Sequence, residues 1–292
     1  MKFADLATRT TTAALLIGFI IAAEIFSEIP SGSYFGLSFQ NLFPLLALLF
    51  IGICVYEYDS LCRGHTRLLQ NRIMNGVVTF LPSLVLFIFH FYRPDLSLSQ
   101  QASLIFALGV IGLFFGIAHI ASAGRVSLEE ASKRTVELLI GAVILGFGGA
   151  SLLGFALLQS HFLLFWIIGI VAANDIGAYF IGKLFGKHKL SVFISPGKSI
   201  EGSIGGLLLG VIAGYLIPYF SNITIPVPIL LSCLFIGMFG QLFDLTKSFI
   251  KRIANVKDSG TLLPGHGGFL DRMDGILGGS VGLQAILIFL SM

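Results

Sequence analysis

SFIKRIANVKDSGTLLPGHGGFLDRMD, residues Ser248–Asp274, lies between two apolar runs at about 226–246 and 276–291. It gathers Lys251, Arg252, Lys257, His266 and Arg272 with Asp258, Asp271 and Asp274 in a chain that is otherwise overwhelmingly apolar. Polar groups this dense are costly between lipid-length runs, so the segment reads as a site. The mixture of signs suits phosphate chemistry: cations can hold phosphates, and carboxylates can hold the metal that phosphates require.

Working outward, the whole chain is apolar. Of its 292 residues 55% are hydrophobic and 11% charged, against about 25% charged in soluble domains. That composition excludes a large soluble core and fits an integral membrane protein. The 28 Phe and 35 Gly agree, since Gly is commoner in membrane helices than in soluble ones. Cys54, Cys62 and Cys233 show neither a CxxC pair nor metal-ligand spacing. They read as free thiols in or near membrane helices rather than a disulfide framework. Lys2 to Arg9 followed by the apolar run Ala13–Ala23 has the outline of a signal peptide. Nothing downstream resembles a secreted domain, so a retained first helix is expected.

Crossing ~30 Å of hydrocarbon takes about 20 apolar residues. Runs of this kind occur at roughly 12–29, 40–57, 74–92, 102–122, 136–158, 161–182, 203–220, 226–246 and 276–291. Breaks fall at Pro30-Ser31-Gly32, Arg93-Pro94-Asp95, Ser195-Pro196-Gly197, and Pro226 with Pro228. Runs this apolar cannot be lipid-facing sheet edges, so the expected fold is all-α, with about nine transmembrane helices. With the N-terminus inside, every Lys and Arg except Arg93 falls on the inner side. This alternation obeys the positive-inside rule and puts the C-terminus outside. About five helices then lie in residues 1–160. The rest lie in 161–292, whose polar loops face the cytoplasm from a multi-pass position in the cell (inner) membrane. Gly202, Gly206, Gly210 and Gly214 recur every four residues, as do Gly112 and Gly116. Small residues at this spacing read as helix packing, and no phosphate-loop pattern surrounds them.

Several acids occupy informative places. Asp175 falls inside an apolar run, in Asn174-Asp175-Ile176-Gly177-Ala178-Tyr179. An intramembrane charge is a functional candidate by default, and Tyr179, four residues on, shares its helix face. A polar packing network around Asn174 and Asp175 is the alternative. Asp244 lies near the inner end of its run, with Ser248 one turn further. Asp271 and Asp274 are three apart and share a face if that entrance is helical, with Arg272 turned from it. Converging carboxylates repel unless a cation lies between them. Mg²⁺ is the natural ion, since it takes oxygen ligands from one or two carboxylates plus substrate phosphates. Zn²⁺ is not expected, because His266 has no partner His or Cys nearby. Pro264-Gly265-His266-Gly267-Gly268 frees the backbone to point N–H groups at anions. In Ser195-Pro196-Gly197-Lys198-Ser199-Ile200-Glu201-Gly202, Lys198 and Ser199 precede a helix start that favours phosphate. Glu201 could hold metal, orient Lys198 or cap the helix. Lys183, Lys187, His188 and Lys189 read as a solvated run facing headgroups.

Ser248-x-x-Lys251-Arg252, Lys257-Asp258-x-Gly260 and Pro264-x-His266-Gly267-Gly268-x-x-Asp271-Arg272-x-Asp274, in this spacing, resemble the signature of the phosphatidate cytidylyltransferases, or CDP-diacylglycerol synthases. The wider resemblance covers roughly residues 165–292 and includes Asn174-Asp175-x-x-Ala178-Tyr179, the Ser195–Gly202 segment and Asp244-Leu245-x-x-Ser248. The N-terminal half matches only as a set of apolar helices. Ile176, Ile200 and Phe243 depart from the usual pattern, but none is a charged position, so they bear on substrate fit rather than chemistry.

The resemblance implies transfer of the cytidylyl group of CTP to phosphatidic acid, giving CDP-diacylglycerol and pyrophosphate. It implies that Asp244 and Asp271 hold the metal centre, Mg²⁺ with K⁺ as a candidate second ion, and that Asp274 supports it. Lys251, Arg252, Lys257 and Arg272 would clamp phosphates of CTP or lipid. Lys198 and Ser199 would meet the nucleotide or lipid phosphate, and His266 would orient phosphate or donate to pyrophosphate. Asn174, Asp175, Tyr179, Glu201, Ser248, Asp258, Gly267 and Gly268 are the expected substrate-binding positions. The lipid bilayer is the expected partner, a homodimer is implied, and nucleic acid is not expected. Rival readings are a polyprenol kinase, an ether-lipid cytidylyltransferase, an ion-coupled transporter and an inactive homologue. A transporter would show internal symmetry, and the charges here cluster at one end instead.

Overall fold

A computed structural model describes residues 42–62, 69–92, 98–122, 127–158, 162–225, 227–260, 262–263 and 267–291. The run expected at 12–29 and the residues Pro264, Gly265 and His266 lie outside the described residues. The chain is an all-α integral membrane protein. Its helices are α1 (Leu42–Cys62), α2 (Leu69–Tyr92), α3 (Leu98–Ser122), α4 (Leu128–Gly141), α5 (Gly148–Ala156), α6 (Phe162–Phe185), α7 (Ile200–Ser221), α8 (Ile229–Ile253) and α9 (Leu270–Ser291). A π-helical segment, Ala142–Phe147, joins α4 to α5 into one continuous span. Among the described residues, six spans are long and apolar enough to cross a membrane, and α2 and α3 carry shorter apolar stretches at Asn75–His90 and Leu104–Phe114.

Eight of the nine expected runs thus coincide with helices, with shifted ends. The run expected from 136 starts earlier because Ser127 caps it, its hydroxyl accepting from the Glu130 N–H at 3.2 Å. The run expected from 276 starts at Leu270, so the acids at its entrance are helical.

One connection holds strand where a loop was expected. Between α6 and α7 the chain forms an antiparallel hairpin, β1 (Lys189–Ser191) and β2 (Ser195–Ser199), pairing Lys189 with Ser199 and Ser191 with Ser195. The expected loop at Ser195-Pro196-Gly197 is therefore a strand. Proline is tolerated there because a two-stranded ribbon consists of edges only.

The core runs through α5, where every residue from Gly148 to Ala156 is buried. A helix that is apolar all round belongs at the centre of a bundle. The glycine repeat on α7 does pack a neighbour closely. A Cβ on Gly206 would sit 2.6 Å from the Asn174 carbonyl oxygen of α6. Trp166 secures the far end of the same pair by donating Nε1–H to the Gly214 carbonyl at 2.9 Å. This seam sets the α6 and α7 ends side by side, with the hairpin between them.

Candidate active site

A cavity of ≈ 360 Å³ opens where α6, α7, α8 and α9 meet the hairpin. That volume is within the roughly 300–1,000 Å³ usual for small-ligand sites. Asp175 and Tyr179 line it from α6, Lys198 and Ser199 from β2, Asp244 from α8, and Asp271, Arg272 and Asp274 from α9.

Each side chain arrives for a local reason. Asp175 and Tyr179 are one helical turn apart and so face the same way. The hairpin ladder aims Lys198, and Ile200 N–H donates to the His188 carbonyl at 2.9 Å to close it. Ser199 is the N-cap of α7, its hydroxyl accepting from Gly202 N–H at 3.1 Å. Ser199 thus caps α7 and also lies in the cavity wall. Asn174 is buried beside the cavity, its Oδ1 accepting from Gln241 Nε2 at 2.8 Å. Gln241 also donates to the Ser203 carbonyl at 3.0 Å and accepts from the Ser203 hydroxyl, tying α6, α7 and α8 together. The packing-network alternative therefore describes Asn174, whereas Asp175 faces the cavity.

The electrostatic centre is Lys247, 4% exposed. Its Nζ lies 3.2 Å from Asp244 Oδ1, 3.2 Å from Asp271 Oδ1 and 2.5 Å from Asp274 Oδ2. Lys198 pairs with the other Asp244 oxygen. Lys251 Nζ stands 2.7 Å from Asp271 Oδ1. Asp271 Oδ2 accepts the Ser259 N–H at 2.8 Å, the Ser259 hydroxyl at 3.0 Å and the Gly268 N–H at 3.4 Å. Asp175, Asp244, Asp271 and Asp274 thus share the cavity wall with Lys198 and Arg272, and Lys247 and Lys251 pair with the acids of α8 and α9. The converging acids do enclose a cation, and it is an ammonium of the chain.

Asp244 and Asp271 present hard oxygen donors to one cavity from two helices. Among the described residues no group of three or more His, Cys, Asp or Glu side chains is arranged to hold a metal. Mg²⁺ is commonly bound by one or two carboxylates plus substrate phosphates rather than by an all-protein cage. Asp244 and Asp271 are donors of the type that ion takes, and in this structure their oxygens meet Lys198, Lys247, Lys251 and Ser259.

Other expected residues lie elsewhere. Glu201 neither lines the cavity nor pairs with Lys198. Its carboxylate lies 2.6 Å from His188 Nδ1 and accepts the Lys187 and His188 N–H groups at 3.2 Å, so it pins the strand entry. Arg252 is exposed, its Nε donating to the Ile194 carbonyl in the hairpin turn at 3.2 Å. Ser248 is half-buried on α8, while Lys257 and Asp258 are exposed on the following loop. None of these lines the cavity. Gly267 has φ 81, a conformation glycine adopts readily. Gly268 is buried, and its N–H meets Asp271, an anion of the chain itself. Arg272 lines the cavity instead of turning from the acids. Lys183 and Tyr179 meet at the rim, with Nζ 5.8 Å from the ring centroid.

The family model described as the cytidylyltransferase family matches residues 8–290. The chain belongs to the cytidylyltransferase family. Within the family, a phosphatidate cytidylyltransferase of Staphylococcus aureus (strain COL) is 49% identical over 118 residues, 40% of this chain and 45% of the relative. One of Bacillus subtilis (strain 168) is 44% identical over 115 residues, 39% of this chain and 43% of the relative. One of Staphylococcus saprophyticus is 46% identical over 118 residues. The chain spans less than half the length of these curated relatives.

Proposed function

We propose that this chain transfers the cytidylyl group of CTP to phosphatidic acid, forming CDP-diacylglycerol and releasing pyrophosphate. The observation that carries the reading is the cavity walled by four carboxylates with Lys198 and Arg272, whose carboxylates also bind the ammoniums of Lys247 and Lys251. The names of its relatives agree. A lipid phosphate oxygen attacks the α-phosphorus of CTP while the α–β bridging oxygen leaves with pyrophosphate. The nucleophile is already anionic, so no strong base is needed, and catalysis rests on positioning and charge neutralisation.

Lys198, Lys247, Lys251 and Arg272 are the cations at hand for phosphates of nucleotide and lipid. Asp244 and Asp271 would hold Mg²⁺, with K⁺ a further candidate, and Asp274 keeps Lys247 in place beside them. Bound there, the metal would supply neutralisation of the triphosphate. Asp175 and Tyr179 line the cavity from α6 and orient the substrate. Because the cavity lies among membrane helices, one substrate can arrive from water while the other stays in the lipid.

Nine spans, an inner N-terminus, an outer C-terminus and a cytoplasmic cavity belong to the same proposal, supported by the Lys and Arg distribution. Pairing of two copies belongs to it too, and the mass of the detergent-solubilised protein checks it. The native cysteines are buried, so Lys257→Cys offers one exposed thiol for membrane-impermeant labelling. Labelling only from the outer side overturns the orientation.

The deciding assay supplies purified full-length protein with phosphatidic acid and CTP labelled at the α- or γ-phosphate, with and without Mg²⁺. The expected result is lipid labelled from the α position only and dependent on Mg²⁺. Label arriving only from the γ position identifies a kinase and overturns the reading.

A further inference from the structure

Glu57 stands near the end of α1, in the half of the chain that carries none of the cavity residues. It is 3% exposed. Both carboxylate oxygens are engaged by the far end of the chain. Oε1 accepts the Phe269 N–H at 2.9 Å, and Oε2 accepts the Leu270 N–H at 2.8 Å and the Ser259 hydroxyl at 3.2 Å.

These donors have a common origin. Leu270 begins α9, and the first N–H groups of a helix have no partner within it. A Ser, Thr, Asp or Asn just before the helix usually supplies one. Here the preceding described residues are Gly267, Gly268 and Phe269, which offer no such side chain. Glu57 supplies the cap from α1, and its charge also suits the positive end of the α9 dipole. Two glycines of the polar loop make room for it. A Cβ on Gly260 would lie 2.6 Å from Glu57 Oε1, and one on Gly268 would lie 2.7 Å from Oε2. The rings of Phe50 on α1 and Phe269 add an apolar contact at 5.1 Å between centroids.

Asp271 sits in the α9 turn that Glu57 caps. Its Oδ2 shares the Ser259 hydroxyl with Glu57, and its Oδ1 meets Lys247 and Lys251. A hydroxyl has one proton to donate, so the two carboxylates are tied through one group.

We propose that Glu57 is a positioning residue for the reaction. It fixes the start of α9 and the Ser259 loop, and so holds the Asp271 carboxylate where the cavity needs it. Glu57 does not line the cavity, so it acts on substrate only through Asp271. The role in catalysis rests on the proposed function, while the mechanical link does not.

The test uses the full-length protein with Glu57→Gln, Glu57→Asp, Ser259→Ala and the Gln/Ala double variant. Removal of an outer partner of a metal-binding carboxylate typically costs about 10–100-fold in activity or metal affinity. Glu57→Gln is expected to lower kcat and raise the Mg²⁺ requirement by about that factor, with KM for CTP unchanged. Glu57→Asp recovers part of the loss, and the double variant loses less than the product of the two singles. Backbone hydrogen exchange in a peptide containing Phe269 and Leu270 speeds up in Glu57→Gln. If Glu57→Gln does not fold, Glu57→Asp carries the kinetic and exchange arms, with a smaller loss expected in each.

Wild-type kcat, Mg²⁺ requirement and exchange in Glu57→Gln overturn the inference and leave the proposed function standing. Equal losses in KM and kcat, or losses that multiply, reduce Glu57 to general stability and also overturn it. A wild-type protein without cytidylyl transfer overturns the proposed function. The exchange arm then still decides whether Glu57 holds α9.

Discussion

Lys198 and Asp271 line one cavity from arms secured in different ways. The hairpin carrying Lys198 is held mainly by neighbours in sequence: a short ladder, the Ile200–His188 backbone bond and the Glu201 carboxylate on Lys187 and His188, with Arg252 adding one remote bond to the Ile194 carbonyl. Among its described residues, the loop between α8 and α9 shows a single Leu263–Gly267 bridge. Its order comes from the Asp271 carboxylate within and from Glu57 far away in sequence. A locally closed arm tolerates change elsewhere in the molecule. A remotely held arm registers every change in how α1 packs on α9.

The largest effect is expected on the remote side. Asp271→Asn removes the charge that Lys247, Lys251 and Ser259 all address. Loss of a key electrostatic group typically costs about 10²–10³-fold in kcat, and the upper end is expected here in the labelled-CTP assay. Near-normal turnover would break the comparison at its root. Next comes Lys247→Met, which leaves Asp274 buried without its ammonium. Breaking a buried pair on one side destabilises by about 3–5 kcal/mol. Thermal unfolding in detergent should reveal this, and an unchanged midpoint would mean that the cluster does not depend on Lys247.

Lys198→Met is expected to cost about 10²-fold in kcat/KM without loosening the hairpin, because the ladder uses backbone groups. If hydrogen exchange in residues 189–199 also rises, the hairpin is not locally closed and the contrast must be redrawn. The smallest effect belongs to Ser199→Ala, which removes the α7 cap. Such caps are worth about 1 kcal/mol. A larger loss of stability would mean that the hairpin leans on the α7 start more than its own ladder suggests.

The spans were legible because hydrocarbon thickness and apolar run length speak for each segment separately. The acids were legible as well: Asp175, Asp244, Asp271 and Asp274 stand out against apolar surroundings, and all four line the cavity. The hairpin was not, because strands this short carry little periodicity and Pro196-Gly197 carries the signature of a loop. Lys247 counted only as inner-face charge, since its burial arises when α8 packs on α9. A signal was present all the same, because Lys247 lies three residues after Asp244 and four before Lys251. Glu57 closes an apolar run, and the reasoning that singled out Asp175 applies to it equally. What the sequence alone leaves open is its partner, more than two hundred residues away. Glu201 offered three local roles and took a fourth, because the hairpin brings His188 within its reach.

The Glu57 contacts also bear on how separable the two halves of this chain are. A cut near residue 160 falls between helices, and by run lengths alone it looks clean. Yet it would strip the Phe269 and Leu270 amides of their acceptor and leave the Ser259 hydroxyl with Asp271 alone. Each buried amide stripped so costs about 1–3 kcal/mol. The last four helices are thus no self-sufficient cassette. A graft that moves them into a foreign scaffold must carry a carboxylate at the depth of Glu57, or the transplanted cavity loses one of its hinges.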